Sequence, residues 1–145
     1  MEAGSTMSPS EVVMAIWRDI DHNGGRRVHE WFLPDGTLDF GKQTVRGHDE
    51  IAETYRKRRD GTERVARHVA TNLYEERLDE HTARVTSIVV LFAGNGTPPI
   101  PQLVPQFVGD VVDVFVLADG KWWLRSRSMT PVFFSPEVGL AVPMR

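Results

Sequence analysis

Asp21 and His68 are the residues of this chain best suited to acid–base chemistry. His68 lies in Arg67–Leu73, where polar and apolar residues alternate as in a strand, so its imidazole is predicted to face a covered interior. Such an imidazole needs a partner that fixes its tautomer, and Asp21, at the end of an amphipathic helix, is the best candidate. A carboxylate that orients a histidine is a general-base arrangement, so the pair predicts removal of a proton from a carbon atom.

Three further polar residues are predicted to belong to the same site. Asn72, four positions beyond His68 on the predicted strand, is expected to share its face. Asp113 lies within the apolar run Val111–Val116, where a lone carboxylate is costly to bury, and Arg127 on the next strand is its predicted partner. This ion pair either braces the wall of a cavity or leaves the arginine to bind an anionic or leaving group.

Each of these residues also has a purely structural interpretation. His68 is alternatively a hydrogen-bonded core histidine, and Asp21 a solvated carboxylate, although a negative charge at a helix C-terminus opposes the helix dipole. Tyr55 is either a core residue or a hydroxyl that reaches a ligand. The basic run Arg56–Arg59 is either a solvated helix end or a contact to an acidic partner. The other predicted lining residues are cavity wall or core: Trp31, Leu38, Phe115 and Met129.

The composition excludes several other chemistries. The 145 residues include no Cys, which removes disulfides, thiolate metal sites and cysteine nucleophiles. The net charge of −3 provides no basic field for nucleic acid. Phosphate-binding glycine motifs, a nucleophile elbow and histidine pairs at metal-ligand spacing are all missing from the sequence. The predicted chemistry therefore needs no cofactor and no metal.

The sequence also predicts location and domain organisation. No apolar run approaches the roughly 18 residues of a transmembrane helix. Residues 1–7 have neither the basic nor the apolar region of a signal peptide. We therefore expect a cytoplasmic protein without a membrane partner, in which a disordered tail, residues 1–7, precedes one domain, residues 8–145.

Helical patterns come first along the chain. Ser8–Glu11 is a capping-box sequence, and an apolar stripe at helical spacing then runs to about Asp21. A short second helix is predicted over Arg26–Phe32, with a turn at Pro34–Gly36 after it. A third helix follows Gly47 and ends in a basic run.

From about residue 63 the pattern changes to four long strands, at roughly 64–77, 82–92, 107–117 and 121–129. The connection Ala93–Gln106 contains four prolines and is predicted to form a lid or a subunit contact. These elements predict an α+β fold, a cone-shaped barrel with three N-terminal helices packed on a strongly curved, mostly antiparallel sheet. A curled sheet of this kind leaves a pocket against its helices.

The order of elements and several local motifs resemble the nuclear transport factor 2-like superfamily. The motifs that carry the resemblance are Asp21 at the end of the first helix, Phe32–Gly36, Arg46–Ile51, His68–Leu73, Asp119–Arg127 and Val132–Pro136. The most similar branch contains SnoaL-like polyketide cyclases, scytalone dehydratase and hexachlorocyclohexane dehydrochlorinase. The resemblance covers nearly the whole chain, and it implies a cone-shaped cavity with an Asp–His dyad at Asp21 and His68.

The departures from that branch limit what the resemblance implies about the substrate. Leu38 stands where the dehydrochlorinase has an aromatic pocket residue, and the proline-rich loop differs, so the substrate does not transfer with the fold. Together with the dyad, the resemblance implies a dehydratase-like lyase, an isomerase or a cyclase that acts on a small hydrophobic polyketide-, terpenoid-, steroid- or aromatic-like molecule. The branch leaves two alternatives, a non-catalytic binding protein and the structural small subunit of a ring-hydroxylating dioxygenase. The Val- and Phe-rich sheet face and the tail Pro131–Pro143 predict that oligomerisation buries apolar surface, and the resemblance implies a homodimer or homotrimer.

Overall fold

The computed structural model describes residues 6–61, 63–101 and 104–136. Within these ranges the chain forms two α-helices, one 3₁₀ turn (Val28–Trp31) and six β-strands. The helices and strands are, in chain order, α1 (Pro9–Asn23), β1 (Phe32–Asp39), β2 (Thr44–Arg46), α2 (Gly47–Gly61), β3 (Arg64–Asp79), β4 (Thr82–Asn95), β5 (Phe107–Ala118) and β6 (Lys121–Phe134).

The six strands form a single sheet in the order β2-β1-β6-β5-β4-β3. Neighbouring strands are antiparallel except β1 and β6, which run parallel. Every second residue of β4 is buried, as expected for a sheet with one face packed against a core. Helix α1 packs against β3 and α2 packs against β1. The α+β class and the mostly antiparallel sheet are therefore confirmed.

Helix α1 carries Asp21 in its last turn, and local sequence fixes both of its ends. Ser8 Oγ accepts a hydrogen bond from the Glu11 amide at 3.2 Å, and Glu11 Oε1 accepts one from the Ser8 amide at 2.8 Å. Gly24, with φ 66°, ends the helix in the left-handed conformation that glycine adopts without strain. The predicted apolar stripe is buried: Val12, Val13, Ile16, Trp17 and Ile20.

Removing this cap should weaken the helix that holds Asp21. Ser8→Ala is expected to lower the free energy of unfolding by about 1 kcal/mol, because it leaves the Glu11 amide without its side-chain acceptor. Urea denaturation measures the change. Met14→Ala, on the exposed side of the same helix, is the control and should change stability by less than the cap variant. Equal stability of Ser8→Ala and the wild type would contradict the assignment of the cap.

The predicted second helix over Arg26–Phe32 is not confirmed as a full helix, since the segment holds a four-residue 3₁₀ helix, Val28–Trp31, in place of an α-helix. Phe32 ends the turn because it enters the sheet beside Leu124 and is fully buried. The predicted turn at Pro34–Gly36 lies inside β1, where the register between β1 and β6 shifts. Tertiary pairing therefore extends a strand through residues whose local preference is a turn.

The segments outside regular structure also differ from the prediction. Because β4 continues to Asn95, the proline-rich connection is residues 96–106, and its roles as a lid or a subunit contact stay predictions. Of the predicted tail, residues 1–5 lie outside the described residues, whereas the Thr6 hydroxyl donates to the Gly120 carbonyl at 3.1 Å.

No helix in the described part of the chain is long and apolar enough to cross a bilayer.

Candidate active site

Asp21 and His68 meet in the structure. His68 Nδ1 lies 2.6 Å from Asp21 Oδ1, and the His68 backbone amide donates to Asp21 Oδ2 at 2.7 Å. Only 5% of the His68 side chain and 7% of the Asp21 side chain are exposed. Because one carboxylate binds both the ring and the backbone of His68, it fixes the imidazole relative to β3. The predicted contact between the helix-borne carboxylate and the strand-borne histidine is present.

This contact assigns the tautomer of His68. With Nδ1 as the donor to the carboxylate, Nε2 carries the lone pair, and among the described residues no group forms a hydrogen bond with it. Burial lowers the pKa of His68 below its ordinary value, and the hydrogen bond and charge of Asp21 offset this only in part. The imidazole is therefore neutral near pH 7 and able to accept a proton.

Neutralising Asp21 should change the titration of His68. Asp21→Asn removes the negative charge that raises the pKa of His68 and replaces a charged hydrogen-bond acceptor with a weaker neutral one, while the desolvation that lowers the pKa stays. The pKa of His68 is therefore expected to fall further, and the imidazole should become a weaker base. An NMR titration of the imidazole measures this, with Asp110→Asn, an exposed carboxylate on β5, as the control. A pKa that is unchanged or higher in Asp21→Asn would contradict the assigned contact.

Trp17 is a site residue that the sequence analysis placed only in the apolar stripe of α1. Its ring stacks on the His68 ring with centroids 4.5 Å apart and planes 13° apart. Trp17 is 3% exposed, and the Arg127 guanidinium carbon lies 4.3 Å from the centroid of its ring. Trp17 precedes Asp21 by one helical turn, a spacing that places both on one side of α1. That spacing is the sequence signal that would have identified it.

Arg127 and Asp113 form the predicted ion pair. Arg127 Nε and Nη2 donate to the two carboxylate oxygens of Asp113 at 2.7 and 3.0 Å, and both side chains are almost completely buried. The third guanidinium nitrogen, Nη1, is buried without a hydrogen-bond partner in the described residues, and so is Trp17 Nε1. Two buried N–H donors beside the stacked Trp17 and His68 rings therefore have no partner in the described residues.

Comparisons with known proteins identify the family of the chain. A family model described as the SnoaL-like domain matches residues 10–128. The chain belongs to this family. No protein of curated function matches the sequence significantly.

Three solved structures with 18–20% sequence identity share the fold of this SnoaL-like domain. Rv3472 of Mycobacterium tuberculosis, a protein of unknown function, is 20% identical with a TM-score of 0.73. The match covers 91% of this chain and 80% of the Rv3472 chain. A scytalone dehydratase-like protein of Novosphingobium aromaticivorans is 18% identical with a TM-score of 0.74, and the match covers 87% of this chain and 83% of the other. ActVI-ORFA of Streptomyces coelicolor is 18% identical with a TM-score of 0.70, and the match covers 83% of this chain and 92% of the other.

Asn72 does not share the face of His68, so this prediction is wrong. The register between β3 and β4 shifts between Thr71 and Tyr74, which inserts an extra residue into β3. Asn72 has φ 55°, a left-handed conformation that Asn tolerates better than most residues, and it is exposed. Its amide oxygen accepts a hydrogen bond from the Thr71 hydroxyl at 3.1 Å. A β-bulge therefore directs this side chain away from the dyad.

A second bulge decides which arginine of β6 enters the interior. Residues 125 and 127 have the same parity, yet Arg125 is exposed and Arg127 is buried. Val114 pairs with Ser126 whereas Phe115 pairs with Leu124, so Arg125 is the extra residue of β6. Parity alone does not separate the two arginines, and the strand pairing does.

The other predicted lining residues are divided between the interior and a separate surface cleft. Leu38 and Phe115 are fully buried and Met129 is 5% exposed, so all three belong to the packed interior of this SnoaL-like domain. Tyr55 is also buried, which raises the pKa of its hydroxyl and keeps it protonated. Trp31 instead lines a different cleft together with Trp122 and Trp123, so the structure does not bring it to the dyad.

A cleft of about 280 Å³ opens beside the dyad. Asp21, which bonds to His68, lies in its wall together with Tyr55 and Ala66. The remaining lining is strongly cationic and includes Arg26, Arg58, Arg59 and Arg64. The run containing Arg58 and Arg59 is predicted from the sequence to be a helix end or a partner contact, and only the structure places it beside the dyad.

Proposed function

We propose that this SnoaL-like domain catalyses a cofactor-independent acid–base reaction on a small hydrophobic molecule, with His68 as the base and Asp21 as its orienting partner. The observation that carries the proposal is the buried 2.6 Å contact between His68 Nδ1 and Asp21 Oδ1, which leaves Nε2 as the basic nitrogen. Supporting it, the lowered pKa of His68 keeps the ring neutral near pH 7, the state that a general base requires.

The proposed reaction begins when His68 Nε2 removes a proton from a carbon atom next to a carbonyl, a ring or a leaving group. The imidazolium that forms is stabilised by the adjacent carboxylate of Asp21. Negative charge that develops on a substrate oxygen is stabilised by preorganised N–H or O–H donors. The donors available are Arg127 Nη1 and Trp17 Nε1, which have no partner in the described residues, and the protonated hydroxyl of Tyr55.

The proton on His68 then determines the product class. Its return to a leaving hydroxyl gives dehydration, and its return to another carbon atom gives isomerisation. Cyclisation results when the carbanion attacks a second carbonyl and the proton returns to the alkoxide that forms. Dehydration is our first choice, which the fold shared with a scytalone dehydratase-like protein supports. The apolar interior around Leu38, Phe115 and Met129 favours a hydrophobic substrate.

A binding protein without chemistry is the second candidate function. Trp17 stacks on the His68 ring and Asp21 binds its Nδ1, so His68 is also packed as a hydrogen-bonded core histidine would be in a carrier. The two candidates differ in turnover. In a carrier, replacing His68 changes the affinity for a ligand and no product forms in either protein.

The ring opening of 5-nitrobenzisoxazole tests the proposal, because this small aromatic molecule needs only removal of one proton from carbon. The wild-type domain is expected to accelerate the release of the coloured phenolate above the buffer rate. The rate should be constant near neutral pH and fall in acid as His68 is protonated, with a midpoint below the ordinary value of 6.5. A rate equal to buffer, or a profile without an acid limb, would contradict a histidine base.

A further inference from the structure

The cleft beside Asp21 gathers cationic side chains in a protein whose net charge is −3. Four arginines line it, and its two carboxylates are Asp21 and Glu63. Asp21 already accepts two hydrogen bonds from His68. The cleft therefore has an excess of positive charge that its own residues leave uncompensated.

Arg64 is the most deeply placed of these cations. Its Nε is buried without a hydrogen-bond partner in the described residues, and its Nη2 has one long contact of 3.3 Å to Gln106 Oε1. Burial and the neighbouring charge of Arg58 lower the pKa of Arg64 to about 10, and the charge of Asp21 offsets this only in part. A half-buried guanidinium next to a second cation is stabilised when an anion binds between them.

Arg58 forms no ion pair with a carboxylate among the described residues. Its guanidinium carbon is 5.4 Å from the centroid of the Tyr55 ring, and Tyr55 forms part of the cleft wall. By contrast, Arg56 on the same helix pairs with Glu53 and Asp60 at 2.6 Å. Neither Arg58 nor Arg64 forms an ion pair with a described carboxylate, although the charge of Asp21 acts on Arg64, so the two guanidinium groups together provide a binding site for an oxyanion.

We propose that this cleft binds an oxyanion, a carboxylate or a phosphate, between Arg58 and Arg64, and that the anion is one end of the molecule whose apolar part reaches His68. The second half of this inference rests on the proposed function, and the first half does not. Arg26 and Arg59 complete the cationic wall, although each already donates to a backbone carbonyl, that of Asn23 or Gly24.

The chemistry and the size of the cleft fit this ligand class. Guanidinium groups present parallel N–H donors that match both oxygens of a carboxylate or phosphate. A volume of about 280 Å³ is near the lower end of ligand pockets, so the cleft accommodates a charged group with a few attached atoms. Because Asp21 lies in the cleft wall and bonds to His68, a ligand anchored there lies next to the dyad.

Calorimetric titration with three related probes tests the inference. The probes are 1-naphthoate, 1-naphthyl phosphate and the neutral methyl ester of 1-naphthoate, and the tighter of the two anions identifies the preferred oxyanion. Arg58→Gln and Arg64→Gln are each expected to weaken anion binding on the order of tenfold, because each removes a charged hydrogen-bond donor. Arg125→Gln, an exposed arginine on β6, is the matched control and should leave the affinity unchanged.

Raising the salt concentration should weaken the binding of both anions and leave the binding of the ester unchanged, because salt screens the interaction between exposed charges. Equal affinities of acid and ester, no binding of either anion, or the same affinity in Arg64→Gln and Arg125→Gln would each overturn the anion site. Thermal melting checks that Arg64→Gln stays folded, which is expected because it removes a guanidinium with a buried unpaired nitrogen.

The two proposals fail in different ways. If 1-naphthoate binds in an arginine-dependent manner while the wild type does not accelerate ring opening of 5-nitrobenzisoxazole, the anion site stands and the acid–base function falls. If ring opening depends on His68 while no anion binds, the anion site falls and the acid–base function stands.

Discussion

Replacing His68 with asparagine is expected to lower the rate of 5-nitrobenzisoxazole ring opening by about 10²–10⁴-fold, the usual contribution of a positioned base. The asparagine amide is able to donate to Asp21 in place of Nδ1, so the helix–strand contact is retained. It has no basic nitrogen in the position of Nε2, so proton transfer is lost. Stopped-flow or steady-state absorbance of the phenolate measures the rate.

His81→Asn is the matched control for this prediction. His81 is exposed at the turn between β3 and β4, so the same chemical change there should leave the rate within about twofold of wild type. Circular dichroism and thermal melting show whether each variant is folded. If folded His68→Asn retains the wild-type rate, His68 is not the base, and binding without chemistry becomes the better interpretation.

Asp113→Asn is expected to produce the largest loss of stability, about 3–5 kcal/mol in the free energy of unfolding. The substitution leaves Arg127 charged and buried, with 1% of its side chain exposed and no carboxylate to accept its two hydrogen bonds. Urea denaturation measures the change. Asp110→Asn, on the exposed face of the same strand, should change stability by less than about 0.5 kcal/mol.

A double replacement separates the cost of an unpaired charge from the value of the pair. Asp113→Leu combined with Arg127→Met removes both charges, and methionine retains a soft contact with the Trp17 ring. Because a buried ion pair is often replaceable by apolar residues of similar volume, the double variant should be more stable than Asp113→Asn. If Asp113→Asn is as stable as Asp110→Asn, the ion pair does not contribute as the structure indicates.

The bulges were beyond prediction from sequence. One extra residue in β3 turns Asn72 outward, and one in β6 separates exposed Arg125 from buried Arg127. Both bulges depend on pairing with a neighbouring strand, whereas alternation along one strand assumes an unbroken register. The stacking of Trp17 on His68 and the arginine-lined cleft were equally beyond prediction, because each joins elements that are distant in the sequence.

The sequence by itself determined the features that local patterns and simple charge rules control. The capping box and apolar stripe defined α1 and placed Asp21 at its end, and the cost of burying a lone carboxylate identified Arg127 as the partner of Asp113. It also paired Asp21 with His68, because a buried imidazole needs a fixed tautomer. Only the tertiary structure decided which side chains surround that pair, because strand register and helix docking set their positions.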